Sequence, residues 1–255
     1  MLRKNLLFAL FLILILPLSI AYSDLAQVFN TDYPKTFEFL SKLPEGSVVL
    51  TWVDGGRALE EITKLKSVVK YPSQQLLDIG GFANRSYSGP FDDNEKLVDI
   101  SKFFMDTDEK SALKIAHKYK AKHILVTDDM ANKQNWMQHL AAKCDYVRNE
   151  ESNKCEYYFF IKDTDKSNLE QAKKLSGELL AATGGYLYIP PKLKDAMLTK
   201  MLYKSESLEK LKLVYSDSSS KVFRVPADLT LIYVTSGFIL AVVMLLAIAK
   251  RKRHK

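Results

Sequence analysis

Apolar positions along this chain fall into three patterns. Leu6 to Leu16 is an unbroken apolar run, Leu229 to Ala249 is apolar or small throughout, and the residues between alternate with the periods of strands and helices. In that middle region Pro34 to Leu43 predicts a short helix, ended by Pro44-Glu45-Gly46. Ser47 to Val53 reads as a strand and Arg57 to Lys66 as a second helix, with Gly55-Gly56 between them as a sharp turn through positive φ. Tyr71 to Asn94 is rich in Gly, Ser, Asn and Pro and predicts a long surface loop, a kind that is usually functional or mobile. Asp99 to Phe104 is a short strand or turn. An amphipathic helix opens at Thr107-Asp108-Glu109-Lys110, with Thr107 as cap and Ala112, Ile115, Ala116 and Tyr119 on one face.

The strand His123 to Val126 comes next, stops at Thr127-Asp128-Asp129, and leads into a helix over Ala131 to Lys143 with Trp136 on its packed side. Further on, Asn168 to Ala182 is helical, Gly184-Gly185 is a break, Lys192 to Lys204 is helical, and Lys210 to Tyr215 with Lys221 to Val225 forms a closing hairpin. Strand and helix alternating in the first half imply a small α/β sheet, and the second half is mixed α+β.

The two ends speak about topology. Arg3 and Lys4 precede the first apolar run, Pro17 closes it, and Ser19-Ile20-Ala21 offers the small residues a signal peptidase reads. Residues 1–22 are therefore a signal peptide or an uncleaved N-terminal anchor. Leu229 to Ala249 is long enough, at ~1.5 Å per residue, to cross one hydrocarbon thickness. The basic run Lys250-Arg251-Lys252-Arg253-His254-Lys255 adjoins it directly. That order predicts a transmembrane helix over 229–249 with a cytoplasmic tail over 250–255, and an extracytoplasmic domain over 23–227.

Charge and cysteine content agree with this topology. The net charge of +7 is carried wholly by Arg3, Lys4 and the five cations of the tail, and the 30 Asp and Glu residues are matched by the remaining Lys and Arg. The middle is neutral, so the high pI is no sign of nucleic-acid binding. The only two cysteines, Cys144 and Cys155, flank a polar turn from Asn149 to Lys154. They read as a disulfide closing a hairpin in an oxidising compartment, worth roughly 3 kcal/mol, or as two free thiols. Two Cys and four scattered His give no metal-ligand spacing, and no cofactor motif is present.

The candidate chemistry gathers at two strand ends. Trp52-Val53-Asp54-Gly55-Gly56 ends one strand and Asp128-Asp129 ends another, each before a helix. If the strands are parallel neighbours, both sets of carboxylates stand at the C-terminal edge of one sheet, the usual binding crevice of open α/β sheets. Trp52 is also a reasonable core aromatic, and either aspartate is a reasonable helix cap. Asn84-Arg85-Ser86 is an N-glycosylation sequon on the expected loop.

Val48-Val49-Leu50-Thr51-Trp52-Val53-Asp54-Gly55-Gly56 resembles the Trp-Trp-Asp-Tyr-Gly signature of oligosaccharyltransferase catalytic subunits, with Trp52, Asp54 and Gly56 in place and Val53 and Gly55 departing. Phe103-Phe104, Asp108 to Ala112 and Tyr119 to Asp128 resemble the segment after that signature in archaeal members of the AglB type. Asp129-Met130-Ala131-Asn132-Lys133-Gln134-Asn135-Trp136-Met137 resembles that family's second motif, with Lys133 and Met137 at the right spacing and a longer gap after Asp129. Ala196 to Tyr203, and Leu213 to Val225, are similar to the family's closing segment. The likeness spans Gly46 to Val225, nearly the entire middle region.

The resemblance implies that Asp54 accepts the hydroxyl proton of an Asn-x-Ser/Thr acceptor, Trp52 walls the pocket, Met137 touches the threonine methyl and Lys133 orients the group. Val53 cannot donate the hydrogen bond the family's second Trp supplies, and a lost bond to a buried hydroxyl costs about 1 kcal/mol or more. In the family, the metal-binding acids and the lipid-linked glycan site lie in a many-helix membrane domain. With one or two apolar spans, neither holding an acid, this chain is expected to bind acceptor polypeptide or a polytopic transferase subunit without catalysis of its own. The alternatives are a subunit of a split oligosaccharyltransferase, or a cell-surface structural protein that has lost sequon recognition.

Overall fold

The structure is a computed structural model that describes residues 33–79, 89–144 and 154–228. The expected signal or anchor segment over 1–22, the sequon at Asn84, most of the residues between the two cysteines, the expected transmembrane helix over 229–249 and the basic tail lie outside the described residues. Among the described residues no helix is long and apolar enough to cross a membrane. The chain divides into two units, Met1–Val225 and Pro226–Lys255, and among the described residues every strand and helix belongs to the first.

Five strands form the main sheet: β1 (Val48–Leu50), β2 (Lys66–Ser67), β3 (Ala121–Thr127), β7 (Lys212–Ser216) and β8 (Ser220–Arg224), in the order β2-β1-β3-β8-β7. β1 is parallel to both β2 and β3, whereas β8 runs antiparallel to β3 and to β7. The parallel neighbourhood of β1 and β3, on which the shared binding edge depends, is thus present.

Alternation along the strands sends successive side chains to opposite faces of this sheet. On one face Val49, Leu125 and Val222 pack against Phe37 and Leu40 of helix α1 (Pro34–Ser41) and Ala58 and Leu59 of α2 (Val53–Ile62). On the other, Leu50, Ile124, Val126 and Phe223 meet a larger core that includes residues of α4 (Asn94–Met105), α5 (Glu109–Lys118), α6 (Gln134–Leu140) and α8 (Met197–Tyr203). Helices cover both faces, which explains why β3 carries an almost continuous apolar run rather than strict alternation.

A second, antiparallel sheet is built from β4 (Phe159–Lys162), β5 (Glu178–Ala182) and β6 (Gly185–Ile189), in the order β4-β6-β5. Helix α7 (Lys166–Lys174) packs Ala172 against Ile161 and Tyr188 of that sheet.

Several local expectations are corrected. The strand expected over Ser47 to Val53 ends at Leu50, and helix α2 already begins at Val53. Gly55 and Gly56 are therefore helical and make no turn; positive φ among the described glycines occurs at Gly46 and Gly184. The reason for Gly56 is close approach: a Cβ there would fall on the carbonyl oxygen of Val69 and against Ser67 Oγ.

Asp99 to Phe104 is not a strand or turn but part of α4. This helix is capped by Asp93 accepting from the Glu95 N–H at 2.9 Å, and it buries Leu97, Ile100, Phe103 and Phe104 on one side. The cap of α5 is Asp108 rather than Thr107, since its carboxylate accepts from the N–H groups of Lys110 and Ser111. The segment Glu178 to Ala182 is strand β5, because pairing with β6 outweighs its helical composition. The helix expected over Lys192 to Lys204 is confined to Met197–Tyr203.

Cys144 and Cys155 form a disulfide, with Cα atoms 4.9 Å apart. After Cys155 the chain pairs β4 with β6, and the first arm of the expected hairpin, residues 145–147, lies outside the described residues.

Candidate functional site

Strand β1 ends at Leu50 and β3 at Thr127, both toward the same edge of the sheet because the strands are parallel, with Leu50 beside Ile124 after a one-residue register shift between Val48 and Val49. Two short connections leave that edge. After β1 the backbone passes through Thr51 and Trp52 and enters α2, placing Asp54 in the first helical turn. After β3 it enters a 3-10 turn, Asp128–Lys133, and then α6. Lys133 closes that turn, and its Nζ lies 3.6 Å from Asp54 Oδ2. The same Nζ stands 5.2 Å from the ring centroid of Trp136, within cation–π range.

These residues border a cavity of about 250 Å³. Trp52, Val53, Asp54 and Arg57 form its α2 side, Lys133 and Trp136 its α6 side, and Lys70, Tyr71, Pro72, Leu76 and Leu77 its third wall. Leu76 and Leu77 belong to α3 (Gln74–Ile79), a helix within the stretch expected to be an irregular loop. That wall is anchored. Asp92 Oδ2 accepts the N–H groups of Lys70 at 2.6 Å and Tyr71 at 2.8 Å, and Ser73 Oγ donates to Asn94 Oδ1 at 2.9 Å. Arg57 Nε pairs with Glu61 at 2.8 Å and Lys70 Nζ with Glu60 at 2.9 Å, which fixes both stems along the rim.

Electrostatics at the mouth are set by desolvation and by two neighbours. Burial in the cleft raises the Asp54 carboxyl above the ordinary carboxylate range, Lys133 draws it back down, and the charge of Asp129 raises it further. With 42 % of the Asp54 side chain and 27 % of that of Lys133 exposed, a polypeptide can reach both groups.

Of the residues singled out from sequence, Trp52, Val53, Asp54 and Lys133 all border the cavity. Trp52 is only 1 % exposed and belongs equally to the core, so its two readings coincide in one residue. Asp129 does not line the cavity. Its carboxylate is engaged by the Thr127 hydroxyl and by the Tyr33 hydroxyl at 3.5 Å, the latter also donating to Asp128 at 2.9 Å. Met137 has no exposed surface and packs within the core, so it does not line the cavity either. Trp136, expected on the packed side of its helix, packs against the core and also borders the cavity.

The sequence reading missed Arg57, Lys70, Tyr71, Pro72, Leu76 and Leu77. The signal available was the length of the loop and the apolar pairs Tyr71-Pro72 and Leu76-Leu77 inside an otherwise polar stretch. Among the described residues, no three His, Cys, Asp or Glu side chains are grouped to hold a metal ion.

The structural neighbours of this fold are C-terminal globular domains of archaeal and bacterial oligosaccharyltransferases. The C-terminal domain of PglB from C. jejuni matches with a TM-score of 0.50 at 8 % identity, over 76 % of this chain and 99 % of that one. The C-terminal globular domain of an oligosaccharyltransferase from Archaeoglobus fulgidus matches with a TM-score of 0.47 at 15 % identity, over 76 % of this chain and 97 % of that one. A longer A. fulgidus oligosaccharyltransferase, solved with a tethered acceptor peptide containing the NVT sequon, matches with a TM-score of 0.37 at 15 % identity, over 77 % of this chain and 23 % of that one. At these identities the likeness establishes the fold alone. No protein-family model matches the sequence, and no curated protein matches it.

Proposed function

We propose that this chain is a membrane-anchored, oligosaccharyltransferase-like domain whose cleft receives the Ser or Thr of an Asn-x-Ser/Thr acceptor polypeptide. In this reading glycan transfer is performed by a separate polytopic transferase, and the chain lies outside the cytoplasm with its basic tail inside.

The observation that carries the reading is the meeting of Asp54 and Lys133 across one cavity. Each comes from a different one of the two motifs that resemble the transferase signatures. An incoming hydroxyl donates to the Asp54 carboxylate, and the Lys133 ammonium holds that carboxylate and offsets its charge. Trp52 and Val53 supply the apolar floor. Val53 donates nothing, so the hydroxyl keeps fewer partners than a Trp at that position would provide. Met137, buried behind the cavity, takes no part in contact.

The test is a titration of the full chain, held in detergent micelles, with a peptide containing Asn-Val-Thr and with its Asn-Val-Ala counterpart. A hydrogen bond to a charged acceptor is worth about 1.5–3 kcal/mol, so the Thr peptide is expected to bind at least tenfold more tightly. Equal binding of the two peptides, or none, overturns the reading. Purification from native membranes examines the second part, since the transferase subunit is expected to accompany the chain.

A further inference from the structure

We infer that the cleft also takes a bulky apolar side chain of the same polypeptide, leucine-sized or aromatic. This rests on the reading of the cleft as a peptide site and concerns what lies next to the hydroxyl.

Size comes first. The cavity encloses about 250 Å³, and an apolar cavity of roughly 150 Å³ already admits a benzene ring. The methyl and hydroxyl of a threonine leave most of that space empty. Apolar lining left in contact with water is unfavourable, and an apolar side chain seated on it removes that contact.

The walls match that occupant. Leu76 and Leu77 of α3 line the same cavity as Pro72, Trp52 and Trp136, and Asp54 is the single carboxylate on that lining. The α3 wall is held by Asp92 on the Lys70 and Tyr71 amides and by the Ser73–Asn94 contact, so it is a built surface.

The experiment uses the full chain in detergent micelles and a set of peptides built on Ala-Ala-Asn-Ala-Thr-Ala-Ala. Each alanine is replaced in turn by Phe or Leu, and every peptide has a twin with Thr changed to Ala. At one position Phe and Leu are expected to bind about tenfold more tightly than Ala, equivalent to 1.4 kcal/mol. Leu77→Asn, at a half-exposed site, is expected to bring the Phe-to-Ala ratio close to one.

Thr-dependent binding with no side-chain preference overturns this inference and leaves the hydroxyl reading standing. A Phe preference that persists in the Thr-to-Ala twins overturns the hydroxyl reading instead. A preference untouched by Leu77→Asn places the apolar side chain elsewhere and overturns the inference. Absence of all peptide binding overturns both.

Discussion

Asp54 and Lys133 come from separate strand ends and meet 3.6 Å apart at the mouth of one cavity. The pairing depends on β1 and β3 being adjacent and parallel, because only then do the connections after both strands leave the same edge. It also leaves a carboxylate with a divided environment, partly desolvated and only partly neutralised.

That environment predicts a conflict between stability and binding at Asp54. A carboxyl raised in the folded state favours folding when protonated. The contribution is full below the unfolded value of ~3.9 and is lost as pH rises through the folded one. Asp54→Asn should therefore stabilise the fold at neutral pH, by roughly 0.5 kcal/mol or less, because solvent reaches much of the side chain. The same variant should lose the Thr-over-Ala preference. Melting both proteins at pH 4 and pH 7 checks the sign: the variant's advantage should be larger at pH 7.

Gly56→Ala should destabilise the protein although it sits in a helix. On propensity alone the change is favourable by about 1 kcal/mol. Here the added Cβ would meet the carbonyl oxygen of Val69, which is backbone and cannot rotate away. Overpacking of this kind costs about 1–3 kcal/mol, and the Val69–Tyr71 corner of the cavity should shift with it. Urea unfolding measures the loss, and a variant as stable as the parent would contradict the close approach.

Asp92→Ala should loosen the third wall of the cavity. It removes the acceptor of two backbone N–H groups, those of Lys70 and Tyr71, at a cost of about 1–3 kcal/mol. Amide hydrogen exchange at those two residues should accelerate in the variant, whereas exchange in β3 should change only with global stability.

His123 predicts an acid limb. It is buried on β3 opposite Arg224, and its Nδ1 has no hydrogen-bond partner among the described residues. Burial, and then the charge of Arg224, hold its pKa below the ordinary histidine value. A histidine kept neutral by the fold contributes stability that is full above the unfolded pKa of ~6.5 and is lost as pH falls through the depressed folded value. His123→Leu should flatten the decline of stability between about pH 6.5 and pH 5. Urea unfolding across that range reads it directly, and an unchanged slope would assign the decline to other groups.

Much of the fold was legible in the pattern of residues. The helix at Pro34 and the helix at Glu109 show their apolar periods because each buries one face, and β3 shows as the short apolar run of a strand buried on both faces. Glu178 to Ala182 was misread because Leu and Ala favour helix locally, and only the β6 partner makes the extended form preferable. Asp99 to Phe104 was misread by being taken apart from Leu97, whose spacing to Ile100 and Phe104 completes the helical stripe.

By itself the sequence determined the alternation of strand and helix, the oxidisable cysteine pair and the residue types at two strand ends. Trp52 and Asp54 stood out as an aromatic ring and a carboxylate at a strand end, and Lys133 through the resemblance of the motif that carries it. The tertiary structure decided which of them share a cavity. It turned Gly56 from a turn residue into a point of contact with Val69, left Met137 in the core and Asp129 beside Tyr33, and brought Leu76, Leu77 and Trp136 to the wall. The physical reason is that periodicity reports which face of an element is apolar. Which faces meet depends on strand register and close packing between segments far apart in the chain, and no local pattern encodes that.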